Sequence, residues 1–126
     1  MRHYTIIIVK YIRGGNVNEI VTGRCLWDFS IDGEAIVIDD ELTTCVEECK
    51  DRIIVVHSPS PDFIIHMAVA TAVVTETGGV LCHAAVLAME IGCPIVVGAE
   101  DAIKLISNGL HLRVVGENGV GRVFKE

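Results

Sequence analysis

Short apolar runs, separated by glycine, proline and polar residues, characterise the middle of the chain. Ala70–Val74 and Ile95–Val97 are apolar and rich in β-branched residues, a composition typical of buried strands. Between them, His83–Glu90 consists of good helix formers with almost no polar face. A pair of glycines breaks the first strand, and Gly92 with Pro94 suits the end of the helix. The pattern therefore predicts a strand, a glycine turn, a helix that begins at His83 and a second strand.

Similar runs on both sides of this stretch predict further elements. Six segments have the composition of strands: Tyr4–Tyr11, Glu19–Thr22, Ala35–Ile38, Arg52–Val56, His111–Val115 and Arg122–Phe124. Asp32-Gly33 is a turn signal before the third of them, and the last two form a terminal pair. Three segments favour helices: Asp39–Cys49 (with Leu42, Cys45, Val46 and Cys49 on one face), Asp62–Ala70 and Asp101–Ser107. Because strands come first and then alternate with helices, we expect a mixed α/β domain with β-rich edges and a parallel centre.

The predicted position of His83 has chemical consequences. In the first turn of a helix the backbone N–H groups lack partners within the helix, and the helix dipole is positive at that end. A phosphate attached near this histidine would be bound by those N–H groups. The same positive end disfavours the imidazolium form, which leaves a neutral and nucleophilic ring. We therefore expect His83 to act as a phosphoryl acceptor or as a general acid or base.

The stretch from Thr75 to Gly98 carries a resemblance to a known family. From Gly78 to Pro94 it runs Gly-Gly-x-x-Cys-His-Ala-Ala-x-x-Ala-x-Glu-x-Gly-x-Pro. This spacing resembles the signature of the swivelling phosphohistidine domain of PEP-utilising enzymes, which include PEP synthase, pyruvate phosphate dikinase and enzyme I of the sugar phosphotransferase system. The Cys-His form is especially similar to PEP synthase. The resemblance extends more weakly over residues 20–126, and it implies a swivelling β/β/α architecture: a mixed sheet with flanking helices, as one domain over residues 1–126.

The resemblance also implies roles for single residues. His83 matches the phosphorylated histidine, and Cys82 matches the serine or cysteine that precedes it. Either the Cys82 thiol assists proton transfer, or Cys82 is simply a small residue beside the site. The glycines of the loop, Gly78 and Gly79, would let the backbone approach the phosphate closely. Thr75 and Thr77 flank these glycines, and their hydroxyl groups either bind the phosphate or serve as structural caps.

Two positions depart from the family pattern. The family has threonine two positions before the histidine, where this chain has Leu81, so regulation by phosphorylation of that threonine cannot operate. The family also has arginine where this chain has Met89, which removes a cation that could contact phosphate or a partner. These departures support an alternative hypothesis, a non-catalytic regulatory or interaction domain that retains the fold. The retained Cys82 and His83 support phosphotransfer.

Composition narrows the classes of protein. The chain has 126 residues, which is long enough to form a hydrophobic core. Because 51% of these residues are hydrophobic, the composition argues against a disordered chain. A net charge of −7 without a basic cluster argues against nucleic acid as a partner. No apolar run is long enough to span a membrane and no signal peptide is visible, so we expect a cytoplasmic protein without a membrane partner.

Five cysteines leave a second and weaker class open. Cys45 and Cys49 could form half of a metal site on a helix face, or could simply be small residues partly facing the core. A thiol or metal module built on these two and Cys82 is therefore a third hypothesis. An odd number of cysteines in a chain without a signal favours free thiols, and we expect no metal ligands in this chain.

The leading hypothesis is a phosphotransfer module that is not self-sufficient. No P-loop motif is present, and 126 residues cannot hold both a nucleotide-binding domain and a PEP-binding barrel, which has about 250 residues. We therefore expect the module to move between nucleotide-binding and PEP- or pyruvate-binding partners, which are separate subunits or parts of a longer chain. No cofactor would be bound by this chain, and Mg²⁺ would be held by the partner.

Overall fold

Seven strands and three short α helices make up the computed structural model, which describes residues 18–39 and 43–126. The strands are β1 (Glu19–Cys25), β2 (Phe29–Ile38), β3 (Ile53–Val56), β4 (Ala72–Thr75), β5 (Ile95–Val97), β6 (His111–Glu117) and β7 (Val120–Lys125). The α helices are α1 (Ile64–Met67), α2 (His83–Ile91) and α3 (Ala102–Leu105). Two 3₁₀ turns cover Val46–Cys49 and Pro61–Phe63. None of the helices in these ranges has the length and apolar character needed to cross a bilayer.

The strands form one sheet that closes into a barrel in the order β1-β5-β4-β3-β2-β6-β7. Strands β2, β3, β4 and β5 are parallel neighbours, with Ile36 opposite Ile54, Ile54 opposite Val73, and Val73 opposite Ile95. Strands β6 and β7 form an antiparallel hairpin, and β6 also pairs with β2. The ring closes because β1 pairs antiparallel with both β7 and β5.

The parallel strands are buried on both faces, which explains their nearly continuous apolar composition. All residues of β3 and β5 are buried. Alternate residues point to opposite sides: Ile53 and Val55 pack inside the barrel, whereas Ile54 and Val56 pack on the outer layer with α1 and α2. Each fully buried valine or isoleucine contributes roughly 1.5–3 kcal/mol relative to exposure, so these short strands are stabilised by both layers.

Helix α2 lies on the outer layer as the pattern predicts. Ala85 and Ala88 are fully buried against the sheet, so small side chains let the helix approach closely. Gly92 ends the helix in the left-handed conformation with φ of 73°, and the N–H of Cys93 donates to the carbonyl of Ala88 at 2.9 Å. The predicted helix start at His83, C-cap at Gly92 and strand Ile95–Val97 are confirmed.

The fold-class prediction is confirmed in part. The mixed sheet, its parallel centre and the terminal hairpin are present, but the sheet closes into a barrel and the helices around it are few and short. The α/β description therefore overstates the helical layer. Periodicity could not reveal closure, because closure depends on β1 meeting β5, residues that are about 70 positions apart in the chain.

Two local predictions are wrong. Asp32-Gly33 does not form a turn but lies inside β2, because pairing with β6 on one side continues through it. The helix predicted over Asp39–Cys49 is reduced, among its described residues, to the 3₁₀ turn at its end, and Cys45 is exposed rather than facing the core. The proposed face residue Leu42, like the predicted strand Tyr4–Tyr11, lies outside the described residues.

Candidate functional site

Three loops meet where the parallel strands β3, β4 and β5 end. The backbone N–H of Thr77, after β4, donates to the carbonyl of His57, after β3, at 3.1 Å. The N–H groups of Gly98 and Ala99, after β5, donate to the carbonyls of Thr77 and Thr75 at 3.2 and 2.9 Å. In open parallel sheets ligands bind beyond the carboxyl ends of the strands, and the same end of this barrel carries the glycine loop.

The two threonines of the loop bond to the backbone. Thr75 is fully buried, and its hydroxyl donates to the carbonyl of Thr77 at 2.7 Å. The hydroxyl of Thr77 donates to the carbonyl of His57 at 3.2 Å. Both side chains therefore fix the path of the loop in this structure. A contact between either hydroxyl and a phosphate stays a prediction.

The glycines of the loop have different surroundings. Gly78 has φ of 95°, and a Cβ atom there would lie 2.8 Å from Sγ of Cys82. At Gly79 a Cβ atom would meet no atom within 4 Å. The structure therefore requires glycine at position 78 for its own packing, while the space beside the exposed Gly79 is open. The approach of a phosphate to this loop stays a prediction.

Cys82 joins the loop to the helix. It is the N-cap of α2 and has extended backbone angles. Its N–H donates to the carbonyl of Gly79 at 2.9 Å, and its carbonyl accepts a hydrogen bond from the N–H of Val86 at 3.1 Å. The thiol makes no capping hydrogen bond, and its sulfur packs beside Gly78. The side chain is half-buried, and its part in proton transfer stays a prediction.

His83 is exposed as the first residue of α2, directly after this loop. The Leu81 side chain, two positions before it, is 89% exposed, and that of Met89, six positions after it on α2, is 54% exposed. The first N–H groups of a helix point away from its body and attract anions. The site therefore presents an imidazole and a helix N-terminus together to the solvent.

Comparison with known proteins decides the family. The model of the PEP-utilising enzyme mobile domain matches residues 48–119, more than half of the chain. The chain belongs to this family. The matched region contains β3, β4, α2 and β5, and therefore all of the loops described above.

Several curated relatives are similar to this mobile domain. A probable phosphoenolpyruvate synthase from Archaeoglobus fulgidus is 36% identical over 94 residues, which is 72% of this chain and 12% of the relative. The phosphoenolpyruvate synthase of Aeropyrum pernix is 41% identical over 56% of this chain and 9% of its own. A rifampicin phosphotransferase from Bacillus cereus is 35% identical over 90% of this chain and 13% of its own. The chain thus spans about a tenth of the length of these relatives.

A solved structure supports the fold of the mobile domain. The solution NMR structure of a UPF0107 protein superposes with a TM-score of 0.57, covering 82% of this chain and 98% of that chain. The two sequences are 17% identical, so this likeness concerns the fold alone.

One pair in the mobile domain, His57 and Glu76, received no role in the sequence analysis. The Nδ1 atom of His57 lies 2.7 Å from Oε1 of Glu76, and Oε2 of Glu76 accepts the N–H of Ile103 at 2.9 Å. Both residues directly follow parallel strands. A polar residue just after each apolar run was visible in the sequence, but the adjacency of the two strands was not. The pair links the ends of β3 and β4 to the start of α3.

The charge state of Glu76 follows from these contacts. Burial of the carboxyl raises its pKa, but hydrogen bonds from His57 and the Ile103 N–H, with the positive charges of His57 and Lys104, outweigh burial and hold the pKa below its usual value. Glu76 is therefore an ionised acceptor at neutral pH.

The five cysteines of the mobile domain are all free thiols in this structure. Cys45 is exposed beside its 3₁₀ turn and Cys49 is buried, while Cys82 lies at the start of α2. Within residues 18–39 and 43–126, no group of three histidine, cysteine, aspartate or glutamate residues is arranged to hold a metal ion. Burial raises the pKa of the Cys93 thiol to about 12, which keeps it protonated.

Proposed function

We propose that this mobile domain is a phosphoryl carrier in which His83 accepts a phosphoryl group and passes it to an acceptor. The observation that supports this proposal most directly is that His83 is exposed at the N-terminus of α2, directly after the glycine loop. An exposed imidazole can reach a donor held by another domain, and the helix end favours the negative charge that then arrives. The family match supports the same proposal.

The transfer consists of two substitutions at phosphorus. A ring nitrogen of neutral His83 attacks the phosphorus of the donor in line, a P–N bond forms, and the P–O bond to the leaving group breaks. The acceptor oxygen later attacks the same phosphorus, and the P–N bond breaks to restore the imidazole. Such reactions depend mainly on positioning and on neutralisation of charge. Mg²⁺, which we expect on the partner, would supply part of that neutralisation.

Donor and acceptor would be bound outside this chain. The relatives named for PEP synthesis are about eight to eleven times as long as the matched region, which leaves room for nucleotide-binding and PEP- or pyruvate-binding domains. The donor would be a nucleotide or PEP, and the acceptor a group bound by a partner domain or subunit. The exposed position of His83 allows it to face each partner in turn.

The proposal is tested with an extract of the source organism, which supplies partners. Purified chain, Mg²⁺ and PEP labelled in its phosphate are incubated with the extract, and β-labelled ATP is tested in parallel. We expect acid-labile, alkali-stable label on the wild type and none on His83→Ala. His111→Ala, which removes another exposed histidine on β6, should keep the label. Absence of label from both donors would overturn phosphotransfer and support the non-catalytic regulatory domain.

A further inference from the structure

One side of helix α2 faces solvent and begins with His83. Ala85 and Ala88 are fully buried against the sheet, so the opposite side of the helix is the exposed one. His83, Val86 and Met89 follow one another at intervals of three residues, and all three are exposed. Residues three apart are neighbours on a helix surface, with about 5–6 Å between their Cβ atoms. These three residues therefore form one row, here called the outer face of α2.

The outer face of α2 is apolar beyond the histidine. Val86 is 39% exposed and Met89 is 54% exposed, and Leu81, two positions before the helix, is 89% exposed. Leu81 and Met89 are also the two positions at which the sequence departs from the polar residues of the family pattern. Single apolar residues on a surface are ordinary, but a row of them that begins at a reactive side chain is typical of an interaction site.

A partner that reaches the His83 ring would also cover the rest of this face. A helix rises about 1.5 Å per residue, so Met89 lies about 9 Å along the axis from His83. A stable contact between two proteins buries about 800 Å² on each side, which corresponds to a patch roughly 16 Å in radius. Under the proposed function a partner domain lies over His83 during each transfer. A contact of ordinary size would then include Val86 and Met89.

The charge of the outer face indicates which partner surface fits it. When a neutral His83 attacks the donor, no ionised side chain stands in the row from His83 to Met89. A charged group of the partner placed over this row would lose its water without gaining an opposite charge, which is unfavourable. Apolar side chains of the partner would instead remove apolar surface from water on both sides. After transfer the row carries the phosphoryl charge at one end, so the acceptor domain meets a different surface.

We propose that the outer face of α2, together with Leu81, is the docking surface for the domain that holds the phosphoryl donor, and that this domain covers it with apolar side chains. The inference rests on the proposed function of His83. Two tasks are thus divided within one helix. The His83 ring reacts, whereas Val86 and Met89 hold the donor domain in place.

The test separates docking from the reactivity of His83. An extract of the source organism, with Mg²⁺ and labelled PEP or β-labelled ATP, supplies the donor domain. Phosphoramidate phosphorylates histidine without a partner, because its P–N bond to ammonia breaks as the bond to the imidazole forms. Phosphohistidine at position 83 is measured in both reactions over a range of chain concentrations. Weaker docking raises the concentration of chain that gives half of the maximal rate, and it does so in the extract alone.

Substitutions of similar size change the polarity of the face without adding charge. The triple variant Leu81→Asn/Val86→Thr/Met89→Gln makes the face polar. With the extract, we expect this variant to need about tenfold more chain for half of the maximal rate, because three apolar side chains lose their favourable burial. With phosphoramidate it should react like the wild type.

Leu105→Asn is the matched control. Leu105 is 51% exposed, close to the value for Met89, but it lies on α3, whose Ala102 packs with residues inside the barrel. We expect this variant to match the wild type in both reactions. An equal effect of Leu105→Asn and the triple variant in the extract would overturn the docking surface.

The remaining outcomes distinguish this inference from the proposed function. A triple variant that behaves like the wild type in the extract would overturn the docking surface and leave the carrier role of His83 intact. A triple variant slowed equally by phosphoramidate would also overturn it, because the substitutions would then act on His83 itself. Absence of label on the wild type from both donors in the extract would overturn the proposed function, and this inference with it.

Discussion

The two glycines of the loop before His83 differ in how much room the structure leaves for a side chain. At Gly78 the backbone is left-handed and a neighbouring sulfur occupies the direction of a side chain. At Gly79 the same direction is open. The glycine pair, which looks uniform in the sequence, therefore combines one position constrained by packing with one at which the structure leaves room for a side chain.

Alanine substitutions separate these two constraints. We expect Gly78→Ala to lower the free energy of unfolding by about 1–3 kcal/mol, because alanine is strained at φ of 95° and its Cβ would lie 2.8 Å from Sγ of Cys82. Gly79→Ala should change it by less than about 0.5 kcal/mol. Urea unfolding followed by circular dichroism measures both. Equal losses in the two variants would contradict this account of the loop.

At the scale of elements, the sequence predicted best where a pattern is local. Helix α2 (His83–Ile91) follows from helix formers ended by Gly92, and the four buried residues of β3 follow from an unbroken apolar run. The Asp32-Gly33 signal failed because pairing with β6 and packing over Ile53 make a straight strand more favourable there than a turn. Tertiary contacts overrule local preference in that case.

The candidate site, too, was predictable from the sequence only where its residues are close together along the chain. His83, Cys82 and the glycine loop are contiguous in the sequence, so their spacing places them together. His57 and Glu76 are 19 residues apart and meet only because β3 and β4 are parallel neighbours. Single-sequence patterns contain strand composition but not strand adjacency, and for this reason the pair was missed.

The Glu76 carboxylate, which links three elements, predicts a dependence of stability on pH. Its pKa in the folded chain lies below the ordinary value of 4.5, so folding favours the ionised form. That contribution is fully present above about pH 4.5 and is lost as the pH falls through the folded pKa. We expect Glu76→Gln to flatten the loss of unfolding free energy between pH 6 and pH 3.

Urea unfolding at a series of pH values measures this dependence. Glu100→Gln, which neutralises an exposed turn residue, controls for the loss of one negative charge. A Glu76→Gln variant whose stability falls with pH as steeply as that of the wild type would refute the stabilising role of the ionised carboxylate.

At the scale of the whole molecule, two glycines permit the barrel to close. Gly23 on β1 pairs with Gly121 on β7. A Cβ atom at Gly23 would lie 2.3 Å from the carbonyl oxygen of Val97 on β5, and one at Gly121 would lie 2.6 Å from a methyl group of Val96. Close approach of backbones at this corner therefore requires glycine. Strand β5, which contributes Val96 and Val97 to this corner, is followed directly by Gly98 at the candidate site.

Closure can be tested at this corner. We expect Gly23→Ala to lower the free energy of unfolding by about 2–3 kcal/mol, because a carbonyl oxygen of the backbone cannot move aside easily. Gly33→Ala, in β2, should cost less, since the nearest atom to its Cβ would be a side-chain atom of Ile53 at 3.1 Å. Urea unfolding and hydrogen exchange of the β1 amides measure the effect. A larger loss for Gly33→Ala would contradict the importance of this corner.

The closed ring of described strands limits the ways in which another protein could bind to this domain. An open sheet would expose a row of unpaired N–H and C=O groups along its edges, and such an edge is a template for pairing with another chain. In residues 18–39 and 43–126 every strand has a neighbour on both sides. Another chain therefore cannot bind by adding a strand to these strands, and a partner would have to contact loops and helix faces. Under the proposed function, no strand pairing would have to be broken each time the carrier left a partner.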